Sequence, residues 1–507
     1  MSIATQLVKL ENDIRSSYNY INQKGGTIPQ DKNSDNLPAA INSIQAGVVP
    51  TGTINITQNG IHDVTNYASA DVHIAGASGE KTVFFYDYDG TELYSYTKDA
   101  FLALTAMPNN PTHAGLVSQG WNWTLSDAKD FVTNYDELDI GQTYTTSSAL
   151  SEFDIELTPL TGLTVTFNMN GTKNWGDGTT DTSNSHTYSN VGKYTISCDG
   201  TNLGNGPLFN QSSSNINYFL INARITNVTT IPNYLLNYCY SLETVILPAG
   251  ATSYTSCIQN CKSLKALIFP SGVQSFNETF SSSYSLETVV IPKSVTTVGS
   301  NTFQSCYALK KLVIPAATSI GRYFANTCYG LKRLIMSDTV ETVGTYAFSG
   351  CYSLKYVRMS NAITTIDAKA FQSNYSLETV HLGSAVTTIQ ESAFRYNYTL
   401  KSINLPNSIT TIGSLAFQSN YSLEEIVMPN RLTSISDELF VDNFKMKLYD
   451  FTNFTSVPSL ANTNVFRGIK GVCKIVVPDS LYTTWVGTTN WINFANYIIK
   501  ESDYNGS

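Results

Sequence analysis

The sequence predicts a mainly β, modular chain: a solenoid of about ten coils of 22–23 residues, preceded by an N-terminal helix and small β-rich domains. Three observations predict it. A phrase of the form CYSLETVIL returns with its first residue at 239, 261, 283, 306, 328, 351, 374, 397 and 420, and a degenerate copy starts at Asn443. That step is a solenoid period, too short for a globular domain. Each phrase carries a short strand that often ends at proline, as Leu286, Val289 and Ile291 do before Pro292. Finally, only 14% of residues are charged, and polarity comes from Ser, Thr and Asn beside 31 Tyr and 23 Phe, a composition of exported β-rich or virion proteins. Stacked coils offer a long surface and no natural pocket, which favours recognition over catalysis.

Residues 1–50 form an assembly segment, with Leu7, Leu10, Ile14, Tyr18 and Ile21 on one helical face. A helix that short needs a partner, such as copies of itself. Residues 51–79 alternate apolar and polar around Asn59-Gly60, which predicts a hairpin followed by a linker. Residues 80–150 read as a small α+β domain of β-grasp type, with helices from Thr97 and from near Ser126, the latter capped by Ser126 or Thr124. Residues 151–200 are β again, around the turn NWGDGTTDT. The solenoid occupies 201–464, and 465–507 supply an end cap carrying Trp485 and Trp491.

In the repeat, Leu286, Val289 and Ile291 point inward, while Thr288 and Val290 point outward. Phe303 fills the return path, with Leu236, Ile258, Phe280, Phe348, Phe371, Phe394, Phe417 and Phe440 as equivalents. The coil at Ile320 instead places Ala325 there and shifts the aromatic to Phe324. The first position holds Cys239, Cys261, Cys306, Cys328 and Cys351 but Asn374, Asn397 and Asn420 later. A position accepting either residue reads as an inward ladder of reduced thiols, not a ligand set. Cys257 and Cys261 lack a second pair at zinc spacing, so no metal or cofactor is expected.

SLETVVIPKSVTTVGSNTFQSCYAL and SLKYVRMSNAITTIDAKAFQSNYSL resemble the BspA-like leucine-rich repeats of bacterial surface proteins over about half the chain. That resemblance implies the fold and adhesion to varied partners. NWGDGTTDTSNSHTYSNVGKYTIS is similar to a PKD domain, with Trp175, Gly176, Asp177, Gly178, His186, Tyr188, Gly192 and Tyr194 in place, which implies a β-sandwich spacer. NLPAAINSI and GTINITQNGIHDVTNYASADVHI, with the helix before them, resemble tail-fibre and tail-tip proteins of phages of Gram-positive gut bacteria. That implies a homotrimeric receptor-binding protein of the virion, made in the host cytoplasm, docking to tail or baseplate proteins through its N-terminus. The first residues show no signal-peptide core, and no window reaches a membrane span. A net charge of −9 argues against nucleic acid as partner.

Two surfaces are candidate binding sites. On the outward strand positions, early coils carry a run of Ile and Val, which predicts a covering domain or subunit. Middle coils bring together Lys311, Arg333, Tyr356, Arg358 and His381, a basic stripe suited to an anionic surface polymer such as a teichoic acid, or to a surface protein. The second is an aromatic column, Tyr307, Tyr329, Tyr352, Tyr375, Tyr398 and Tyr421, whose rings could hold sugars or each other. Two readings compete with virion attachment. One is a bacterial cell-surface adhesin for host matrix proteins. The other is a phosphatase, since Asp87-Tyr88-Asp89-Gly90-Thr91 matches the DxDGT nucleophile motif of haloacid-dehalogenase-type enzymes; the same phrase fits a hairpin turn. Without an alternating β–α pattern after it, no enzyme is expected.

Overall fold

The computed structural model describes residues 80–210 and 217–504, with the backbone of 53–56 and 69–72. The expected N-terminal helix lies outside the described residues. The chain forms two compact units, residues 1–79 and 80–507. In the first, β1 (Thr53–Ile56) pairs in parallel with β2 (Ser69–Val72). The hairpin expected around Asn59-Gly60 is therefore not what these strands make, because parallel partners need a crossover between them.

The second unit begins with an α+β domain. β3 (Val83–Tyr86) and β4 (Glu92–Tyr96) form an antiparallel hairpin, and β3 also pairs in parallel with β6 (Leu138–Thr146). Antiparallel to β6 runs β5 (Leu116–Trp121), giving the order β4-β3-β6-β5. The helices α1 (Lys98–Leu102) and α2 (Leu125–Tyr135) start where Thr97 and Thr124 accept a main-chain N–H through their hydroxyls. Burial of Phe85, Phe101, Phe131 and Ile140 supplies the core.

A two-sheet sandwich follows. β7 (Ser151–Leu157) pairs with β12 (Gly192–Cys198), which continues to β9 (Lys173–Asn174) and β10 (Thr180–Asp181). The second sheet is β8 (Thr164–Phe167) between β11 (Ser185–Thr187) and β13 (Phe209–Asn210). On its other edge β7 pairs with β14 (Leu220–Arg224), which pairs in parallel with the first solenoid strand, β15 (Thr244–Ile246). The sandwich is thus hydrogen-bonded into the end of the solenoid and covers the edge that would otherwise template aggregation. Arg224 clamps this joint, reaching Asp154 at 2.8 Å and Glu152 at 3.2 Å.

Inside the sandwich Trp175 is fully buried and stacked on His186, 4.9 Å between ring centres. His186 Nε2 lies 2.7 Å from Asp177, which also accepts from the Thr179 hydroxyl and N–H. These bonds hold the Asp177 carboxyl at about 2, below its ordinary 3.8, with the Thr179 hydroxyl the largest cause. Its folded value lies below its unfolded one, so the stabilisation is full above the ordinary value and is lost as pH falls toward about 2. Asp177→Asn should flatten the acid arm of the sandwich's stability in that window, followed by hydrogen exchange of β12. An unchanged acid profile would show that another group governs it.

The solenoid stacks parallel strands on two faces. One row runs Ala266–Ile268, Thr288–Val290, Lys311–Ile314, Arg333–Met336, Tyr356–Arg358 and Thr379–His381, resumes at Glu425–Val427 and ends at Ile498–Lys500. The other runs in register from Ser253–Thr255 to Thr411–Ile412. Between them the expected inward residues are buried, and the Phe371, Phe394 and Phe417 rings stack 5.6 and 5.8 Å apart. Phe324, displaced by one residue, meets Phe303 edge-on at 84°. All eight cysteines are free and buried. Sγ of Cys306, Cys328 and Cys351 donates to the carbonyls of Phe280, Phe303 and Ala325. Burial pushes the Cys306 and Cys351 thiols up to about 12, which keeps them protonated. At the C-terminal end Trp485 and Trp491 pack fully buried against Phe451, 5.3 and 5.5 Å from it.

Candidate binding site

The strand face singled out by its basic stripe is not open over its first half. The α+β domain lies on it. Ile246, Ile268, Val290, Val313 and Ile335, the outward apolar run, are all at most 5% exposed. Val313 and Ile335 share one apolar cluster with Val83, Phe85, Phe131, Leu138 and Ile140 of the domain. The approach is close enough to dictate residue type. A Cβ on Gly141 of β6 would collide with Ile268, and one on Gly90 would stand 2.7 Å from the Ala266 Cβ. Gly90 also has φ +88°, which side chains disfavour. Asn122 bridges the two parts: its Oδ1 accepts from Gly141 N–H and its Nδ2 donates to the Phe269 carbonyl.

This placement corrects the reading of the basic stripe as an open ligand site. Lys311 Nζ lies 2.6 Å from Asp139, with both side chains mostly buried. Arg333 pairs with Glu137 and stacks over the Tyr356 ring at 4.5 Å. Arg358 lies over the Tyr135 ring and donates to the Met336 carbonyl. Three of the five residues therefore hold the chain's own domain, Tyr356 lies under Arg333, and His381 alone is exposed. The physical reason is charge matching across about 170 to 200 residues of sequence, from Asp139 to Lys311 and from Glu137 to Arg333. Beyond the domain the face is open, with Thr379, His381, Ser402, Asn404, Glu425 and Val427 exposed.

The aromatic column is continuous. Tyr284, Tyr307, Tyr329, Tyr352, Tyr375, Tyr398 and Tyr421 stack at 4.6–4.8 Å with planes within 12°, and Phe444 follows at 5.4 Å. Lys262 fills the one non-aromatic rung, 3.8 Å from the Tyr240 ring. Each inner ring spends both faces on its neighbours, so what faces solvent is ring edge and phenolic oxygen. A sugar held face-on by these rings, one of the two roles the column suggests from sequence, has no free face to occupy; the rings hold each other.

The phosphatase-like phrase is a turn. Asp87 N–H donates to the Thr91 carbonyl and Gly90 N–H to that of Asp87, closing the β3–β4 hairpin. Asp87 is 4% exposed, and its carboxylate is held 2.7 Å from His113 Nε2. No group of His, Cys, Asp and Glu among the described residues is arranged to hold a metal ion.

Parallel coils of this period with an inward Leu, Phe and Cys/Asn column define a leucine-rich-repeat protein. Residues 201–329 and 318–447 match the family model described as the BspA type leucine rich repeat region, so the solenoid is of that type. Among solved structures, the chain is similar to a leucine-rich repeat protein from Bacteroides ovatus ATCC 8483 (17% identity, 57% of this chain and 97% of that one, TM-score 0.31). It is also similar to one from Eubacterium ventriosum ATCC 27560 (30% identity, 38% of this chain and 57% of that one, TM-score 0.32). A third is the pneumococcal vaccine antigen PcpA (17% identity, 59% and 93%, TM-score 0.32). No curated protein matches the chain.

Proposed function

We propose that this chain is an attachment protein of adhesin type, which recognises a polymer or protein on a cell surface through its solenoid and carries out no chemistry of its own. The observation that carries the proposal is the long ordered surface left open beside the docked domain: the strand face from Thr379 onward and the uninterrupted tyrosine column. Regular surfaces of this kind bind by many weak contacts that add through effective concentration. Asp87, the first residue of the phosphatase-like phrase, is held in the hairpin turn 2.7 Å from His113, which fits the structural reading of that phrase. The sandwich that begins at 151 and includes the PKD-like stretch 151–200 acts as a spacer ahead of the repeats.

The finer reading places the protein on a phage tail as a homotrimeric receptor-binding protein, attached through residues 1–50; its support is the N-terminal resemblance. Labelled full-length protein offered to a panel of Gram-positive cells, with fibronectin and fibrinogen surfaces in parallel, tests both. Selective binding to a few strains supports virion attachment to a bacterial surface. Binding to matrix proteins alone favours a bacterial adhesin, and binding to neither removes the attachment reading.

A further inference from the structure

Several cations of the solenoid are paired. Lys311 and Arg333 meet the docked domain, while Lys310, Lys355 and Lys447 reach Glu287, Glu378 and Glu424 on neighbouring coils. Three cations on the turn that follows the second strand of the coil are held differently. Arg322, Lys369 and Arg395 have no carboxylate within ion-pair distance among the described residues. Each lies instead on a tyrosine ring. The Arg322 guanidinium is 4.6 Å from the Tyr323 ring centre, Lys369 Nζ 5.3 Å from that of Tyr346, and the Arg395 guanidinium 4.4 Å from that of Tyr396. Tyr323 and Tyr346 stack at 5.1 Å, Tyr396 meets Tyr398 of the long column at 6.3 Å, and Lys369 and Arg395, on neighbouring coils, feel each other's charge. Glu391 is the carboxylate whose field Lys369 feels, and it forms no ion pair with it.

Stacking a guanidinium on a ring holds its plane and leaves in-plane N–H donors free for the two oxygens of an anion. Arg322 spends one of its donors on the Tyr323 hydroxyl at 3.0 Å and keeps the others. The three cations are spread along the solenoid axis over four coils, from residue 322 to residue 395. A single small anion cannot reach all three, whereas a polymer with an anion in every backbone unit can. Resting on the attachment reading, we propose that Arg322, Lys369 and Arg395, with Tyr323, Tyr346 and Tyr396, bind a phosphodiester-linked polyol or glycan chain laid along the solenoid.

The test uses full-length protein and immobilised poly(glycerol phosphate), with polygalacturonate and neutral dextran as comparison surfaces. Wild-type protein is expected to bind poly(glycerol phosphate) at low salt, to weaken as salt rises and to ignore dextran. The triple variant Arg322→Glu/Lys369→Glu/Arg395→Glu should lose about 100-fold or more in affinity, as expected for several charge-assisted hydrogen bonds. The control Lys310→Glu/Lys355→Glu/Lys447→Glu makes the same charge change elsewhere and should lose only a few-fold; unchanged thermal midpoints exclude misfolding. Equal loss in both triple variants, no wild-type binding, or equal binding to polygalacturonate overturns the proposal. Cell binding separates it from the broader reading. If wild-type and Arg322/Lys369/Arg395 variant adhere equally to the same cells, this site is wrong and attachment stands. If wild-type protein adheres to no surface, the attachment reading has failed.

Discussion

Lys311→Met is expected to release the α+β domain from the solenoid while leaving the repeats folded. Lys311 provides the counter-charge of Asp139, whose side chain is 7% exposed. Burial pushes the Asp139 carboxyl above its ordinary range, and the Lys311 ammonium pulls it back. Removing one partner of a buried pair leaves the other charge uncompensated, at a cost of about 3–5 kcal/mol. Methionine keeps the apolar stem and removes the ammonium, which also lies 4.5 Å over the Phe84 ring, so the loss reports charge more than packing. The pH dependence has a definite sign. Asp139 has a folded value above its unfolded one, so the variant's penalty is full above the raised value and shrinks as pH falls through it and the carboxyl takes up a proton. Replacing both residues, Lys311→Met with Asp139→Leu, should recover most of the stability, because an apolar pair of similar size is often neutral or better. Hydrogen exchange of β3 and β6 reads the release, and protection unchanged from wild type in Lys311→Met would refute the role given to this pair.

The repeats were legible because every coil poses the same local problem. Leu286, Val289, Phe303 and their equivalents recur at a fixed step, so their inward direction follows from spacing alone. Trp485 and Trp491 likewise announce a cap, since two large apolar rings after the last repeat need something to cover. The docking of the α+β domain was legible only as a need: Ile246, Ile268 and Val290 on an outward face demand a cover. What covers them depends on Gly141, Asn122, Glu137 and Asp139, which lie in no repeat and match their partners only in three dimensions. The basic stripe misled for the same reason, because a cation column looks alike whether its anions come from a ligand or from the same chain. Arg322 and Arg395 escaped notice because they occupy different repeat positions, and only folding lays each of them on a tyrosine ring. The tyrosine column was visible as a column, but whether its rings offer faces or edges depends on their tilt, which no spacing encodes. Asn59-Gly60 suggested a hairpin on turn chemistry, and the strands either side pair in parallel instead.

The buried asparagines should prove the most sensitive positions in the repeats. Asn397 is fully buried; its Oδ1 accepts the N–H of Asn374 at 3.0 Å and its Nδ2 donates to the Phe394 carbonyl at 2.9 Å. Asn397→Leu strands one main-chain donor and one acceptor in the core, each costing about 1–3 kcal/mol, or roughly 2–6 kcal/mol together. Asn397→Cys should lose less. A thiol can still donate to a carbonyl, as Cys351 does to Ala325, and in the cysteine coils the N–H of that position turns to a carbonyl three residues back, as Cys306 N–H does to Phe303. This explains why the ladder accepts both residues: each makes one bond to the preceding coil, the thiol to a carbonyl and asparagine from an N–H, and asparagine adds one within its own coil. Coils contact only their neighbours, so the lesion should weaken one junction and broaden the unfolding transition instead of shifting it uniformly. Thermal or denaturant unfolding of the two variants checks the order, and equal losses from leucine and cysteine would show that packing, not hydrogen bonding, sets the value of this position.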